Sequence, residues 1–545
     1  MLKQENLNNT FYENDEIKEV AVQVKNFIEN KDNCRHLRIL AEPGIGKTKA
    51  ILEFCKEYNS AVIYVENADK FDDSEFYSYL KKSSRQNFTL IIDECNSNNA
   101  RTFWDKLKVR LPDLKLITIY NELENYSYDA ETKIIEYPRL HDEDFAEILI
   151  QNYGVEKAAA SHIASLCEGY PRLAHYIGKN YKNNRTLLDK LESVLNGVVL
   201  VGENNDSVKS NILCVLRFLS LFKKFGCSEI YQNEKIYIFN LIRSEIPDLT
   251  LIQFQDIVDN LKSKKILQQE YTLYISPKIL HIWFYKEFWR NQERKNLILN
   301  DIDNMPEQLK TCFFEMFEYA QDLPIDIPNE LLIKFEKKDF LSKQRTNFFL
   351  NLTKANPQEA LNTLLRIFKD ATDDDFKNII DGRMDLVWAM QYILFDKELF
   401  KQGIKLLYRL AVNETETIYS NNATGILKQL FQIALPGTEA SLKQRKEILQ
   451  EFYQNMETNI ELELLTDVLN SALHTGHFSR MGGVEQQGFE IKKDYIPESY
   501  NEIFEYYKFI LDTLLDSAKN KNNRKAIDVI LDHFIPLARY SKETC

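Results

Sequence analysis

With 545 residues and a formal net charge of −13, the chain is too long for one hydrophobic core and too acidic for a general binder of nucleic acid or anionic membrane. No apolar run approaches the roughly 20 residues that span a bilayer, and the polar start Met1 to Asn9 is no signal peptide. The 8 cysteines are scattered without the close pairs of a zinc site, which suits a reducing compartment and predicts a cytoplasmic protein.

Phe11 to Asn30 places Ile17, Val20, Val24, Phe27 and Ile28 on one helical face. A strand is predicted over Leu37–Ala41, a helix over Lys47–Tyr58, a strand over Ala61–Val65 and a helical stretch near Glu75–Lys82. Then follow strand Phe88–Ile92, helix Ala100–Arg110, and strands Leu114–Tyr120 and Lys133–Tyr137. This alternation predicts an α/β fold, a parallel sheet with helices on both faces and its ligand at the carboxyl ends of the strands; with the phosphate-loop pattern at Ala41 to Thr48, it becomes an α/β P-loop NTPase core.

From Asp142 to Asn180 the pattern is wholly helical, with Gly169 able to end one helix and Pro171 to open the next. Asp206 to Trp289 has the order of a winged helix: helices Val208–Lys223, Glu234–Arg243 and Leu251–Lys262, then a hairpin from Ile266 to Ile275. Beyond Asp301 come amphipathic helical pieces of an irregular solenoid, exemplified by Ala355–Leu365 and Leu399–Leu407. The expected organisation is an NTPase core over 1–140, a helical lid over 141–200, a winged helix over 201–295 and a helical-repeat region over 296–545.

The chemistry concentrates after the first strand. Ala41 to Thr48 follows the phosphate-loop pattern G-x-x-x-x-G-K-S/T, with Ala41 in place of the first glycine. Backbone N–H groups around Gly44 to Lys47, with the positive end of the following helix, can cradle a triphosphate, which makes Pro43, Gly44, Ile45, Gly46, Lys47, Thr48 and Lys49 the expected nucleotide-binding stretch. Lys47 would reach the β and γ oxygens, and Thr48 would ligate Mg²⁺.

About 45 residues on, Phe88 to Glu94 is an apolar strand ending in two carboxylates, as a Walker B strand does. Asp93 would hold Mg²⁺ directly or through water, and Glu94 stands where a general base polarises the attacking water. The plainer reading of Glu94 is a cap for the next helix. Asn121, after the fourth apolar strand, is placed as a γ-phosphate sensor, with Thr118 competing.

Other motifs point to structure first. Lys262, Lys264 and Lys265 could meet DNA, yet lysines also suit a helix C-terminus through its dipole. His474 and His477 could share a metal, but no third or fourth ligand accompanies them, so a loop that contacts a partner is the better expectation. The last helix, Arg524 to Tyr540, is apolar on one face, which predicts either further chain or a docked subunit.

The Glu-Pro-Gly-Ile-Gly-Lys-Thr loop, the Ile-Ile-Asp-Glu strand and the Gly169-Tyr170-Pro171 turn together resemble the STAND signal-transduction NTPases, relatives of NACHT and plant-resistance-type ATPases. The resemblance implies that Pro171 contacts the nucleotide, that Arg172 is a candidate phosphate sensor, and that the winged helix faces inward to lock the core. Phe11 to Glu16 looks like the segment that leads into the core in that family, with Asn14 where arginine is usual. The fourth strand lacks the family's Thr-Ser-Arg ending, which implies slow hydrolysis. Asp385 to Trp388 and Asn421 to Gly425 look like segments of bacterial defence members.

The expectation is therefore an ATP/ADP- and Mg²⁺-binding ATPase switch. Its helical array would recognise a protein trigger, of phage or stress origin, and it would form a homo-oligomer on activation. A separate effector subunit would accompany it, with no role for nucleic acid or membrane. The rivals are an origin-recognition or transcription-type ATPase that binds DNA through the winged helix, and a scaffold that holds ADP without turnover.

Overall fold

Asn14 opens the first helix. Its Oδ1 accepts from the Ile17 amide at 2.9 Å, capping α1 (Asp15–Ile28), which buries Ile17, Val20, Ala21, Val24 and Phe27. The computed structural model describes residues 11–29, 31, 33–41, 45–56, 58, 62–84, 87–120, 130–180, 199–200, 203–269, 272–320, 327–476, 478, 486–487, 490–491 and 493–544. After α1 come β1 (His36–Leu40), α2 (Lys47–Phe54), β2 (Val62–Val65), α3 (Ala68–Asp72), α4 (Glu75–Leu80), β3 (Thr89–Ile92), α5 (Ser97–Leu107), β4 (Lys115–Tyr120) and β5 (Thr132–Glu136).

The five strands form one parallel sheet in the order β2-β3-β4-β1-β5. Strand β4 thus lies between the strand that leads to Lys47 and the strand that leads to Asp93, the arrangement of P-loop ATPases of the additional-strand class. Strands β1 and β3 are buried at every position, as inner strands of a parallel sheet covered on both faces are. Phe71, Tyr77 and Leu80 from α3 and α4, with Phe103, Trp104 and Leu107 from α5, share one core cluster with Leu90, Ile92 and Leu116 of the sheet. Each such side chain stabilises the fold by roughly 1.5–3 kcal/mol.

Two polar residues interrupt β1. Arg38 is fully buried, and its Nη1 donates to the Cys95 carbonyl at 2.8 Å and to Thr118 Oγ1 at 3.1 Å. His36 Nε2 meets the same Thr118 hydroxyl at 2.9 Å. A buried guanidinium is tolerable only with such partners.

The lid follows as α6 (Asp142–Tyr153), α7 (Lys157–Cys167) and α8 (Pro171–Asn180), packed on one another. Next are α9 (Asp206–Leu219), β6 (Phe225–Gly226), α10 (Gln232–Arg243), α11 (Leu251–Ser263), β7 (Leu267–Gln268), β8 (Thr272–Ile275) and α12 (Lys278–Trp289), with a small sheet ordered β6-β8-β7. This is the winged helix that the pattern announces. Its first helix stops four residues before Lys223, because Ser220 Oγ turns back to the Arg217 carbonyl at 2.7 Å and the chain enters β6.

The chain divides into two compact units, Met1–Asn291 and Gln292–Cys545. The second unit is helical and its helices pack mainly on near neighbours in sequence: Lys343–Ala355 meets Arg383–Phe395, which meets Lys397–Val412, which meets Ala423–Leu430. That is the contact pattern of a stacked array. Asn356 caps the helix Pro357–Ile367 through the Glu359 amide at 3.0 Å. Buried Arg383 ties its helix to the helix Asp373–Lys377 and to the C-terminal end of Lys397–Val412, donating to Glu414 at 2.9 Å and to the carbonyls of Phe376, Leu410 and Asn413.

His477 lies outside the described residues, as does most of the glycine-rich stretch around it. His474 stands beside His533 of the last helix, ring centroids 5.5 Å apart. Among the described residues no group of three or more His, Cys, Asp or Glu is placed to hold a metal, and no helix is long and apolar enough to cross a membrane.

Candidate functional site: the phosphate loop and its carboxylates

Gly46 is the N-cap of α2 and has φ +99°, a left-handed conformation open to glycine and strained for other residues. No side chain caps this helix and no acid stands in its first turn, so its leading amides and positive dipole end are suited to an anion. Ile45, 2% exposed, anchors the loop in the core. Lys47 is buried, and its Nζ donates to the Ala41 carbonyl at 2.9 Å, folding the ammonium back along the loop. Pro43 and Gly44 lie outside the described residues. The Lys49 side chain pairs with Glu53 at 2.8 Å one turn along α2 and braces the helix.

Thr48 Oγ1 donates to Asp93 Oδ2 at 2.7 Å, so the two expected Mg²⁺ ligands meet across the carboxyl end of the sheet. Asp93 is 8% exposed, and burial pushes its carboxyl above the usual range. Hydrogen bonds from Thr48, the Glu94 amide and Tyr64, with the charge of Lys47, oppose that shift. The hydroxyl and carboxylate are hard oxygen donors of the kind Mg²⁺ takes, and the uncapped helix end with Lys47 matches a polyphosphate, so the residues fit both groups.

Glu94 is exposed and takes φ +48°. The turn that carries it is held from three strands: the Asp93 amide donates to the Val65 carbonyl, the Cys95 amide to the Ile119 carbonyl, and Arg38 to the Cys95 carbonyl. Glu94 does not cap the next helix; Asn96 does, accepting from the Asn99 amide at 2.8 Å. The backbone of this turn sets Glu94 at the carboxyl end of β3, next to Asp93, where a general base would stand.

Thr118 does not reach the site. It is fully buried and faces Arg38 and His36 inside the sheet, two residues before Tyr120, the end of β4. Asn121 lies outside the described residues. Tyr64 and Arg38 are additional to the sequence reading: they act on the Asp93–Cys95 turn from β2 beside β3 and from β1 beyond β4, and strand order is a tertiary property that sequence periodicity does not encode.

The lid closes on the loop through its Gly-Tyr-Pro turn. A Cβ on Gly46 would lie 3.9 Å from Pro171 Cγ, which brings that proline against the phosphate loop. Gly169 has φ +77° and a Cβ there would strike the Leu140 carbonyl at 2.3 Å, so the turn requires glycine. Tyr170 is buried beneath Arg139, whose guanidinium lies 5.0 Å from the ring centroid. Arg172 stands in the first turn of α8, with its side chain outside what is described.

One residue earlier in this turn region, Glu168 accepts from Ser276 Oγ at 2.5 Å and from the Lys278 amide at 3.2 Å, joining the lid to the winged helix. Asn14 Nδ2 donates to Asp144 at 2.9 Å, and Tyr12 donates to Asp144 and Glu147, so the leading segment is also pinned to the lid.

No protein-family profile and no curated protein matches the sequence. Among solved structures, the chain is similar over its full length to 84% of a Signal Transduction ATPase with Numerous Domains (STAND) protein with a tetratricopeptide repeat sensor from Pyrococcus horikoshii, at 12% identity and TM-score 0.25. Half of it is similar to 95% of the Thermotoga maritima RuvB Holliday junction branch migration motor, at 13% identity and TM-score 0.30. The same share is similar to 86% of a chain in Drosophila ORC bound to DNA, at 11% identity and TM-score 0.25. At these TM-scores the likenesses carry no argument; strand order and site geometry do.

Proposed function

We propose that the chain is an ATP-binding molecular switch of the STAND kind, in which the nucleotide at the phosphate loop sets the position of the lid and winged helix. The observation that supports it most is the lid turn itself: Pro171 abuts Gly46 of the loop, while Glu168 in the same turn holds Ser276 and Lys278 of the winged helix. A nucleotide that displaces Pro171 must also strain the bonds of Glu168.

On this reading Lys47 leaves the Ala41 carbonyl for the β and γ phosphates, and Gly46 with the first amides of α2 holds the phosphate chain. Thr48 and Asp93 would hold Mg²⁺, which neutralises phosphate charge when bound. Glu94 would polarise the attacking water and reset the switch. The winged helix serves as an internal lock rather than a DNA reader, a reading supported by Lys264, which is 5% exposed and turned toward Glu203 at 3.9 Å.

We extend the proposal to the second unit as the surface that recognises a protein trigger, with assembly into a homo-oligomer as the output and an antiviral sensor role as the setting. A separate effector subunit would carry the downstream chemistry, and the protein would work in the cytoplasm.

The test is amide hydrogen exchange of the full chain with ADP and with MgATP, using Glu94→Gln to prevent turnover. Faster exchange around Ser276–Lys278 and α8 in ATP supports the switch. Identical protection in both nucleotides would contradict it.

A further inference from the structure

Strand β2 is the edge of the sheet, and Tyr64 on it is in register with Ile91 of β3. Residues directly opposite in a sheet point to one face, and so do residues two apart on a strand, which aims Tyr64 toward the side that Asp93 occupies. Its phenol donates to Asp93 Oδ2 at 3.0 Å, the same oxygen that accepts from Thr48 at 2.7 Å.

We propose that Tyr64 is a positioning residue for Mg²⁺: with Thr48 it occupies Asp93 Oδ2 and fixes the carboxylate so that Oδ1 is presented to the ion or its water shell. Oδ1 accepts only the Glu94 amide among the described contacts, at 2.9 Å, and retains acceptor capacity. Thr48 alone leaves the carboxylate one lateral tether; Tyr64, from the opposite strand, supplies the second.

The inference rests on the proposed Mg²⁺–nucleotide site, and the experiment separates the two. The full chain, wild type and Tyr64→Phe, is titrated with a fluorescent ATP analogue in EDTA and then at increasing Mg²⁺. Loss of one hydrogen bond to a charged group should raise the Mg²⁺ concentration for half-maximal tightening by on the order of tenfold. Affinity in EDTA should stay within about twofold, because phosphate contacts are untouched.

Tyr64→Gln, which keeps a donor, should lie between the two proteins and also serves if Tyr64→Phe does not fold. If wild type shows no Mg²⁺-dependent tightening, the functional reading fails and this inference with it. If wild type tightens and Tyr64→Phe shows the same Mg²⁺ requirement, Tyr64 has no such role and only this inference falls. An equal loss of affinity with and without Mg²⁺ in both variants would mean a general structural role and would overturn it as well.

Discussion

Pro171 of the lid faces Gly46 of the phosphate loop, its Cγ 3.9 Å from the place a Cβ on Gly46 would take. Three residues upstream of that proline, Glu168 grips the start of α12 through Ser276 and the Lys278 amide. Gly46 of the loop and the winged helix are therefore joined through one short turn, whose geometry Gly169 makes possible.

Glu168→Ala should loosen this joint without removing the phosphate site. Two hydrogen bonds to a carboxylate are lost, and the unit should lose about 1–2 kcal/mol of stability. Exchange at Ser276–Lys278 should quicken in the ADP state, while nucleotide affinity persists. Unchanged exchange there would show that the winged helix is held by its apolar contacts alone.

Glu94→Gln keeps the shape of the turn and removes the base. It should bind ATP as wild type does and hydrolyse it roughly 100-fold more slowly or worse. Steady-state phosphate release with a parallel binding titration checks this. Equal turnover in the two proteins would place the base elsewhere.

His281 gives the first unit an acid-sensitive core. It is fully buried in α12, its Nε2–H donates to the Ser220 carbonyl at 3.0 Å, and desolvation pushes its pKa from 6.5 down to about 3. The folded-state pKa lies below the unfolded one, so the unfolded chain takes up the proton first. The stabilising contribution of neutral His281 is thus complete above pH ~6.5 and lost as pH falls toward ~3. Tm measured from pH 7 to 4 should fall less steeply for His281→Leu than for wild type. Parallel curves would refute the assignment.

The elements that sequence made legible are those set by local pattern. The left-handed Gly46 at the start of α2, the Asp93–Glu94 pair after β3 and the Gly169–Pro171 turn each depend on neighbours within a few residues, and the described elements place them at the ends of the strands and helices that the pattern predicts. Helix α3 escaped because five residues, Ala68–Asp72, are too few to show a period.

Thr118 misled because a polar residue near a strand end looks accessible until the register places it against Arg38 and His36. Tyr64, Arg38 and Glu168 act across strands or between lid and winged helix, so their roles emerge only from the fold. Lys49 shows the converse: its place in the loop motif says nothing of its side chain, which Glu53 captures.

The central claim is that Lys47 and its loop bind the phosphates of ATP. Titration of a fluorescent ATP analogue into the full chain and into Lys47→Ala, at saturating Mg²⁺, tests it most directly. Saturable binding by wild type, weakened by roughly 100-fold in the variant, is the predicted result. Equal affinity in the two proteins, or no binding by wild type, would contradict it.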